Sequence, residues 1–338
     1  MRLTLTPYQL ELAHTFSISR ESHDFQDSLI VSLSHEGKSG YGEATANGYY
    51  QITSASMAKE IGLCKNQIEA HDFKTPELFY ELLSSLSLSN FSKCALDLAA
   101  WDLYGKINNT PLYKIWNTNL NNLATTNYTI GIDSVEKMVA KMIEKPWPIY
   151  KVKLGTSQDI AIVTALRAKT NAVFRIDANC AWETDETISN AQKLKDLGVE
   201  FIEQPLAADR WEDMKKVFDT SCLPLIADES CLVPEDVAKC VGHFHGINIK
   251  LTKCGGISPA LGMIKEAKAL GLKVMIGCMT ESSVGISAIG QLLPQLDYVD
   301  MDGALLLKKD IAKGIVIHED ASLSYPDMGG SGIELLDL

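Results

Sequence analysis

The sequence predicts an α/β fold, a TIM-like β/α barrel of the (β/α)7β kind, carrying an N-terminal α+β capping domain. Three observations carry this. Six short apolar runs, rich in β-branched residues, lead into charged residues: KVKLG at 151–155, FRIDAN at 174–179, FIEQPL at 201–206, LIADES at 225–230, INIKLTK at 247–253 and YVDMDG at 298–303. Buried parallel strands whose last residue emerges at an edge read this way. The charges also keep step: 24 residues separate Lys153 from Asp177, 26 Asp177 from Glu203, 25 Glu203 from Asp228 and 22 Asp228 from Lys250. A strand, a helix and two short loops need that length. Before this period begins, the N-terminal stretch alternates apolar and polar residues, as half-buried strands do.

In chain order, residues 1–10 set Leu3, Leu5 and Leu10 against Arg2, Thr4 and Thr6, which predicts a strand. SLIVSLS at 28–34 predicts another, turned by EGKSG at 36–40 into an antiparallel hairpin. The polar segment between them, 14–25, has no clear period and reads as a loop, either surface filler or a lid. Residues 52–66, 76–86 and 91–107 have helical spacing, the last with a wide apolar face from Ala95 to Tyr104. Turn signals in NNTPLYKIWN at 108–117 place a boundary near 122. NYTIGI at 127–132 opens the barrel, and eight strand tips follow near 131, 154, 178, 204, 228, 251, 278 and 302. Amphipathic segments at 158–170, 185–198 and 258–271 supply crossover helices. The expected organisation is 1–122 capping domain, 123–310 barrel, and 311–338 a segment returning to the capping domain.

The chain has 338 residues, 46% hydrophobic and 22% charged, with a formal net charge of -12. With no basic cluster, nucleic acid and anionic membrane surfaces are excluded as partners. The N-terminus shows no apolar leader and no run approaches a membrane span. Eight cysteines without a CxxC pair read as reduced thiols of a cytoplasmic protein.

Sites on β/α barrels lie at the C-terminal strand ends. Asp177, Glu203 and Asp228 end three consecutive strands there, and three converging carboxylates cannot all stay ionised without a cation. Oxygen ligands without His or Cys favour Mg2+ or a relative, and Asn179 is placed to support them. The alternative, solvated loop acids or helix caps, fits one such residue better than three in step. Lys151 and Lys153 share a strand face; their mutual repulsion would lower one pKa and make a base. Lys250 ends the sixth strand, across the acids from Lys153. These lysines read either as acid/base groups or, most seriously for Lys151, as ion-pair partners of the acids. Asp300 and Asp302 form an acidic pair on the eighth strand, suited to an ammonium group or to a solvated turn. Gly255–Gly256 reads equally as an anion cradle at a helix start and as a tight βα turn.

Taken together, KxK at 151–153, DAN at 177–179, EQP at 203–205, ADES at 227–230 and NIKLTKCGG at 248–256 resemble the enolase superfamily, in its muconate-lactonizing subgroup. This superfamily uses a Lys or His base with Mg2+. The Asp300–Asp302 pair looks like the mark of the dipeptide epimerases. The resemblance implies that Asp177, Glu203 and Asp228 bind Mg2+, which holds the substrate carboxylate and stabilises an enediolate. It implies that Lys153 and Lys250 exchange the α-proton on opposite faces and that Lys151 assists the carboxylate. Asp300 and Asp302 would bind the dipeptide ammonium, with Thr129 contacting substrate and Cys278 lining the pocket. Ala-Glu epimerases of the family carry an arginine in the 14–25 segment. Arg20 lies near that position, yet aligning on DSLIV at 27–31 puts Glu21 there, and Asp24 adds negative charge. Small or apolar second residues are therefore expected over Glu. Other readings are a cycloisomerase, a succinylbenzoate-forming dehydratase, an N-acylamino-acid racemase, an Ala-Glu epimerase, or a barrel that binds without catalysis. A homo-oligomer is expected, and peptidoglycan turnover is the family's setting.

Overall fold

A computed structural model describes residues 1–18 and 22–336. The alternating N-terminal sequence folds into three antiparallel strands, β1 (Arg2–Ser17), β2 (Ser22–His35) and β3 (Lys38–Thr45), in that order across the sheet. Glu36 and Gly37, at φ 49° and 73°, make the two-residue turn between β2 and β3. The segment read as a loop at 14–25 is instead largely strand. After a register shift beyond Glu11, Phe16 pairs with His23 and Ser17 with Ser22. No described residue of this ribbon from 14 to 25 is fully buried, so no apolar alternation marks it in the sequence. Arg20 and Glu21 lie outside the described residues.

Helices α1 (Ser54–Leu63), α2 (Lys65–Ala70), α3 (Pro76–Ser85), α4 (Asn90–Ile107) and α5 (Leu112–Ile115) follow. The apolar residues of α4 serve two cores. Ala95, Ala99 and Leu103 pack on the N-terminal sheet, while Cys94, Leu98 and Trp101 join the barrel core. A side chain at Gly42 of β3 would meet the Ala95 carbonyl at 2.1 Å, so glycine there lets strand and helix backbones touch.

The barrel strands are β4 (Tyr128–Ile130), β5 (Ile149–Lys153), β6 (Val173–Asp177), β7 (Val199–Glu203), β8 (Leu225–Ala227), β9 (Gly246–Ile249), β10 (Lys273–Gly277) and β11 (Tyr298–Asp300). They form one parallel sheet in sequence order. Its ends meet at a parallel bridge between Thr126 and Val299. Crossover helices are α6 (Val135–Glu144), α7 (Asp159–Arg167), α8 (Thr184–Asp196), α9 (Trp211–Thr220), the short α10 (Leu251–Cys254) with α11 (Ile257–Ala269), and α12 (Ser283–Leu292). Phe201, Ile226 and Met275 fill the barrel interior below the site. The C-terminal segment forms four short strands, β12 (Ala312–Lys313), β13 (Val316–Ile317), β14 (Leu323–Ser324) and β15 (Glu334–Leu335). It returns to the N-terminal domain, where Ser331 N donates to Asp102 and Lys106 Nζ to the Ile333 carbonyl. No helix among the described residues is long and apolar enough to cross a membrane.

Two N-terminal carboxylates reach across to helix starts in the barrel. Glu43 accepts from Ser282 N and Oγ and from Gly285 N, capping α12. Asp97 accepts from Ser258 N and Oγ at 2.8 and 2.6 Å, in the first turn of α11. Burial pushes the Asp97 carboxyl up to about 7 despite those bonds, with Glu77 adding to the effect. Its folded-state pKa exceeds its unfolded one, so the associated stability is full below about 4 and is lost as pH rises through about 7. Urea titrations of wild type and Asp97→Asn at pH 4, 5.5, 7 and 8.5 are expected to differ in slope. The difference should favour the variant as pH rises, levelling off above about 7, with a span of at most ~4 kcal/mol. Parallel curves would show that Asp97 titrates alike in both states.

Candidate active site

Each strand delivers its charged end to the mouth because the residues before it are buried apolar ladder positions: Phe174 and Ile176 before Asp177, Phe201 and Ile202 before Glu203, Ile226 and Ala227 before Asp228. Asp177, Glu203 and Asp228 are fully buried, and a carboxylate oxygen from each lies within 4.8 Å of the others. Two local conformations fix their surroundings. Asn179 and Cys180 adopt φ of 46° and 66°, and Asn179 N donates back to Asp177 Oδ1. Gln204, at φ 35°, accepts from Asp228 N and Ser230 N through Oε1, tying the fourth and fifth barrel strand ends together.

Lysines surround the acids. Lys151 Nζ stands 2.8 Å from Asp300 Oδ2, 2.9 Å from Glu203 Oε2 and 3.1 Å from Asp177 Oδ2. Lys153 Nζ reaches Asp177 Oδ2 at 2.7 Å. On the other side Lys250 and Lys253 share Asp228, at 3.1 and 2.6 Å. Burial favours the neutral form of a lysine, and the sequence leads us to expect one lowered pKa on β5, but Lys151 is not that group. Burial lowers Lys151, yet the carboxylates of Asp300, Glu203, Asp177 and Asp228 outweigh it and hold the group well above its ordinary value. Lys250 is likewise raised, by Asp228 against burial. Spacing on one strand shows the ammonium beside Lys151 but not the four carboxylates that other strands bring to it. Correspondingly, burial would raise Asp177 and Asp228, but their lysines keep both well below the carboxylate range. Glu203 moves the other way, raised by burial and by Asp177.

The donor set fits a hard divalent cation. It consists of three buried carboxylates. Glu203 Oε2 and Asp228 Oδ2 face the ammonium groups of Lys151 and Lys250, at 2.9 and 3.1 Å, and Asn179 Oδ1 accepts no hydrogen bond. These atoms are where oxygen ligands would be wanted. Lys253, the Asn248 amide that donates to Glu203 Oε1 at 2.8 Å, and Gln204 were not singled out from sequence. Their roles depend on neighbours across strands; Lys253 alone had a cue, in the charge repeated three residues after Lys250.

The acidic pair sits where the barrel closes. Asp300 Oδ1 accepts from Asn127 Nδ2 at 2.7 Å, and Asp302 Oδ2 from Thr129 N at 2.6 Å, so the pair joins the eighth strand end to the first. Asp302 Oδ1 has a weaker partner, the Cys278 thiol at 4.0 Å. Burial and the Asp300 charge hold Asp302 well above the carboxylate range, and burial raises the Cys278 thiol.

A cavity of about 360 Å3 connects these groups and opens toward the N-terminal domain, room for a small molecule and not for a polymer. Thr129, Lys153, Lys250, Cys278, Asp300 and Asp302 line its floor. Phe16, Ile18, Phe25, Tyr49 and Met279 line its upper wall, so the ribbon on either side of residue 20 does face the cavity. Lys151 lies beneath, buried among the acids.

Residues 2–116 match the mandelate racemase / muconate lactonizing enzyme N-terminal domain, and residues 134–337 match the enolase C-terminal domain-like family. An L-Ala-D/L-amino acid epimerase from Maribacter sp. is 66% identical over 335 residues, covering 99% of each chain. Another from Flavobacterium johnsoniae is 58% identical over 337 residues, covering 99% of this chain and 100% of its own. Among solved structures, a dipeptide epimerase from Enterococcus faecalis, complexed with Mg and the dipeptide L-Leu-L-Tyr, superposes with a TM-score of 0.92. It is 31% identical and covers 98% of each chain.

Proposed function

The chain belongs to the mandelate racemase / muconate lactonizing enzyme family of the enolase superfamily and is a dipeptide epimerase within it, and from that premise we propose that it inverts the α-carbon of the C-terminal residue of Ala-Xaa dipeptides, with Xaa small or apolar. The observation that carries the two-lysine reading is the placement of Lys153 and Lys250. They lie on β5 and just beyond β9, with the three acid-bearing strands between them, each buried and each anchored to a different acid. Inversion needs one group to take a proton from one side of a carbon and another to give one back from the opposite side. Two amines facing each other across a bound substrate meet that need; dehydration and lactonization require only one.

Asp177, Glu203 and Asp228 would hold Mg2+. Lysines 151, 153, 250 and 253 pair with Asp177, Glu203, Asp228 and Asp300, and a divalent cation would add positive charge where a carboxylate that loses its α-proton becomes a dianion. Lys151 adds a fixed positive charge under the substrate carboxylate. Asp302 Oδ1, beside the Cys278 thiol, is the acceptor on which the dipeptide ammonium docks, and Asp300 is kept in place by Asn127 and Lys151. An N-acylated substrate has no ammonium for this pair.

The preference for apolar Xaa rests on the upper wall. Among the described residues lining the cavity the lysines are 153, 250 and 253, and each stands within 3.1 Å of a carboxylate. None is placed to pair with a glutamate side chain, whereas Phe16, Ile18, Phe25 and Met279 offer apolar surface. The eight free cysteines suit a cytoplasmic enzyme. The test is incubation with Mg2+ in D2O of a mixed set of dipeptides and N-acylamino acids, read by mass and configuration. Deuterium at the C-terminal α-carbon of Ala-Xaa, with inversion and with apolar Xaa ahead of Glu, is the expected outcome. Exchange confined to the acylated amino acids, or Ala-Glu as the best substrate, would overturn the respective part of the proposal.

A further inference from the structure

The two acid/base lysines are held in place by different parts of the chain. Lys153 is the last residue of β5, a strand paired with both β4 and β6, and its own ladder partner is Asp177 of β6. Lys250 is the first residue after β9 and opens a tight double turn. Beyond it, Gly255 and Gly256 take φ of 103° and 124°, and α11 begins at Ile257. Within the barrel Asp228 holds the side chains of Lys250 and Lys253, and further contacts that brace the turn come from the N-terminal domain. Asn90 Nδ2 donates to the Lys253 carbonyl at 2.8 Å. Asp97 accepts from Ser258 N at 2.8 Å and from Ser258 Oγ at 2.6 Å, while Trp101 Nε1 donates to the same hydroxyl at 2.9 Å. All three residues lie on α4. The fit at Gly256 is close: a methyl group there would stand 2.4 Å from Asp97 Oδ2. The glycine pair, which the sequence leaves open between an anion cradle and a tight turn, packs against the protein's own Asp97 carboxylate, fully buried at the start of α11.

We propose that Asp97 is a positioning residue for Lys250. By tying residues 250–258 to α4, it sets the reach of one of the two amines toward the substrate and leaves the other to the barrel ladder. The proposal rests on the two-lysine reading above. Its consequence is asymmetric. Misplacement by about 1 Å can cost on the order of 10²-fold in a reaction that depends on orientation, and here the loss falls on one face of the carbon.

The experiment measures solvent deuterium uptake by each epimer of one Ala-Xaa dipeptide separately, with Mg2+ present. Lys250→Ala first identifies the epimer whose proton Lys250 removes. In Asp97→Ala, uptake by that epimer is expected to fall about tenfold or more, while the epimer served by Lys153 stays within about twofold. Asp97→Asn, which keeps an acceptor for Ser258 N, is expected to recover most of the loss. An equal fall for both epimers, or no fall, overturns the proposal. Should Asp97→Ala not fold, Ser258→Ala carries the same comparison, since it removes the hydroxyl shared by Asp97 and Trp101. If the wild type exchanges neither epimer, the two-lysine reading fails on its own. Amide hydrogen exchange in Asp97→Ala then decides: protection lost selectively over 250–258 upholds the tether, and unchanged or chain-wide protection overturns it.

Discussion

Lys153→Ala is expected to abolish inversion while leaving the cation site able to fill. Loss of a positioned acid/base group costs roughly 10²–10⁴-fold, and here the group also completes a pair without which configuration cannot change. The variant should still bind Mg2+, because Asp177 keeps Lys151 at 3.1 Å and does not become an unpaired buried anion. It should also still exchange the α-proton of one epimer, returning it with configuration retained, since Lys250 remains. Chiral chromatography in D2O together with a Mg2+ melting shift separates these effects. Full inversion by Lys153→Ala would remove the residue from the reaction. Loss of the melting shift along with turnover would mean that its main work is holding Asp177.

The second large effect is expected at Lys151, and it is mainly one of stability. Its ammonium is the common partner of Asp177, Glu203 and Asp300, all buried. Removing one member of a buried charge cluster costs about 3–5 kcal/mol, because the remaining charges lose their compensation. Lys151→Met keeps the volume and removes the charge. Without added metal its melting temperature should fall well below that of the wild type. Saturating Mg2+ should restore more stability to the variant than it adds to the wild type, since a cation supplies the missing positive charge. Dipeptide turnover should stay low even with Mg2+, because the charge beneath the substrate carboxylate is gone. Equal metal-free stability of the two proteins would show that the acids protonate instead of relying on Lys151.

The barrel and its acidic tips were legible because they depend on spacing along the chain. Asp177, Glu203 and Asp228 recur at one βα period, and that period alone brings them to a common mouth. What was not legible depends on partners across the fold. Gln204 reads as part of an ordinary strand end until its side chain is seen receiving the amides of residues 228 and 230. Asn127 precedes the first strand without distinction, yet it holds Asp300 at the barrel seam. Asp97 was not singled out from the sequence; it is buried because both faces of its helix are covered. The raised pKa of Lys151 was hidden for the same reason, since the acids that raise it come from four other strand ends. The pairing of Phe16 with His23 and of Ser17 with Ser22 was hidden because none of these residues is fully buried.

The central claim is that two amines work one carbon from opposite sides beneath a cation-bound carboxylate. Its most direct measurement is a crystal structure with Mg2+ and an Ala-Xaa dipeptide bound. The C-terminal α-carbon should lie between Lys153 Nζ and Lys250 Nζ, one on each face at about 3–3.5 Å, with the ammonium against Asp302. Both amines on the same flank of that carbon, or a substrate carboxylate directed away from Asp177, Glu203 and Asp228, would contradict the account.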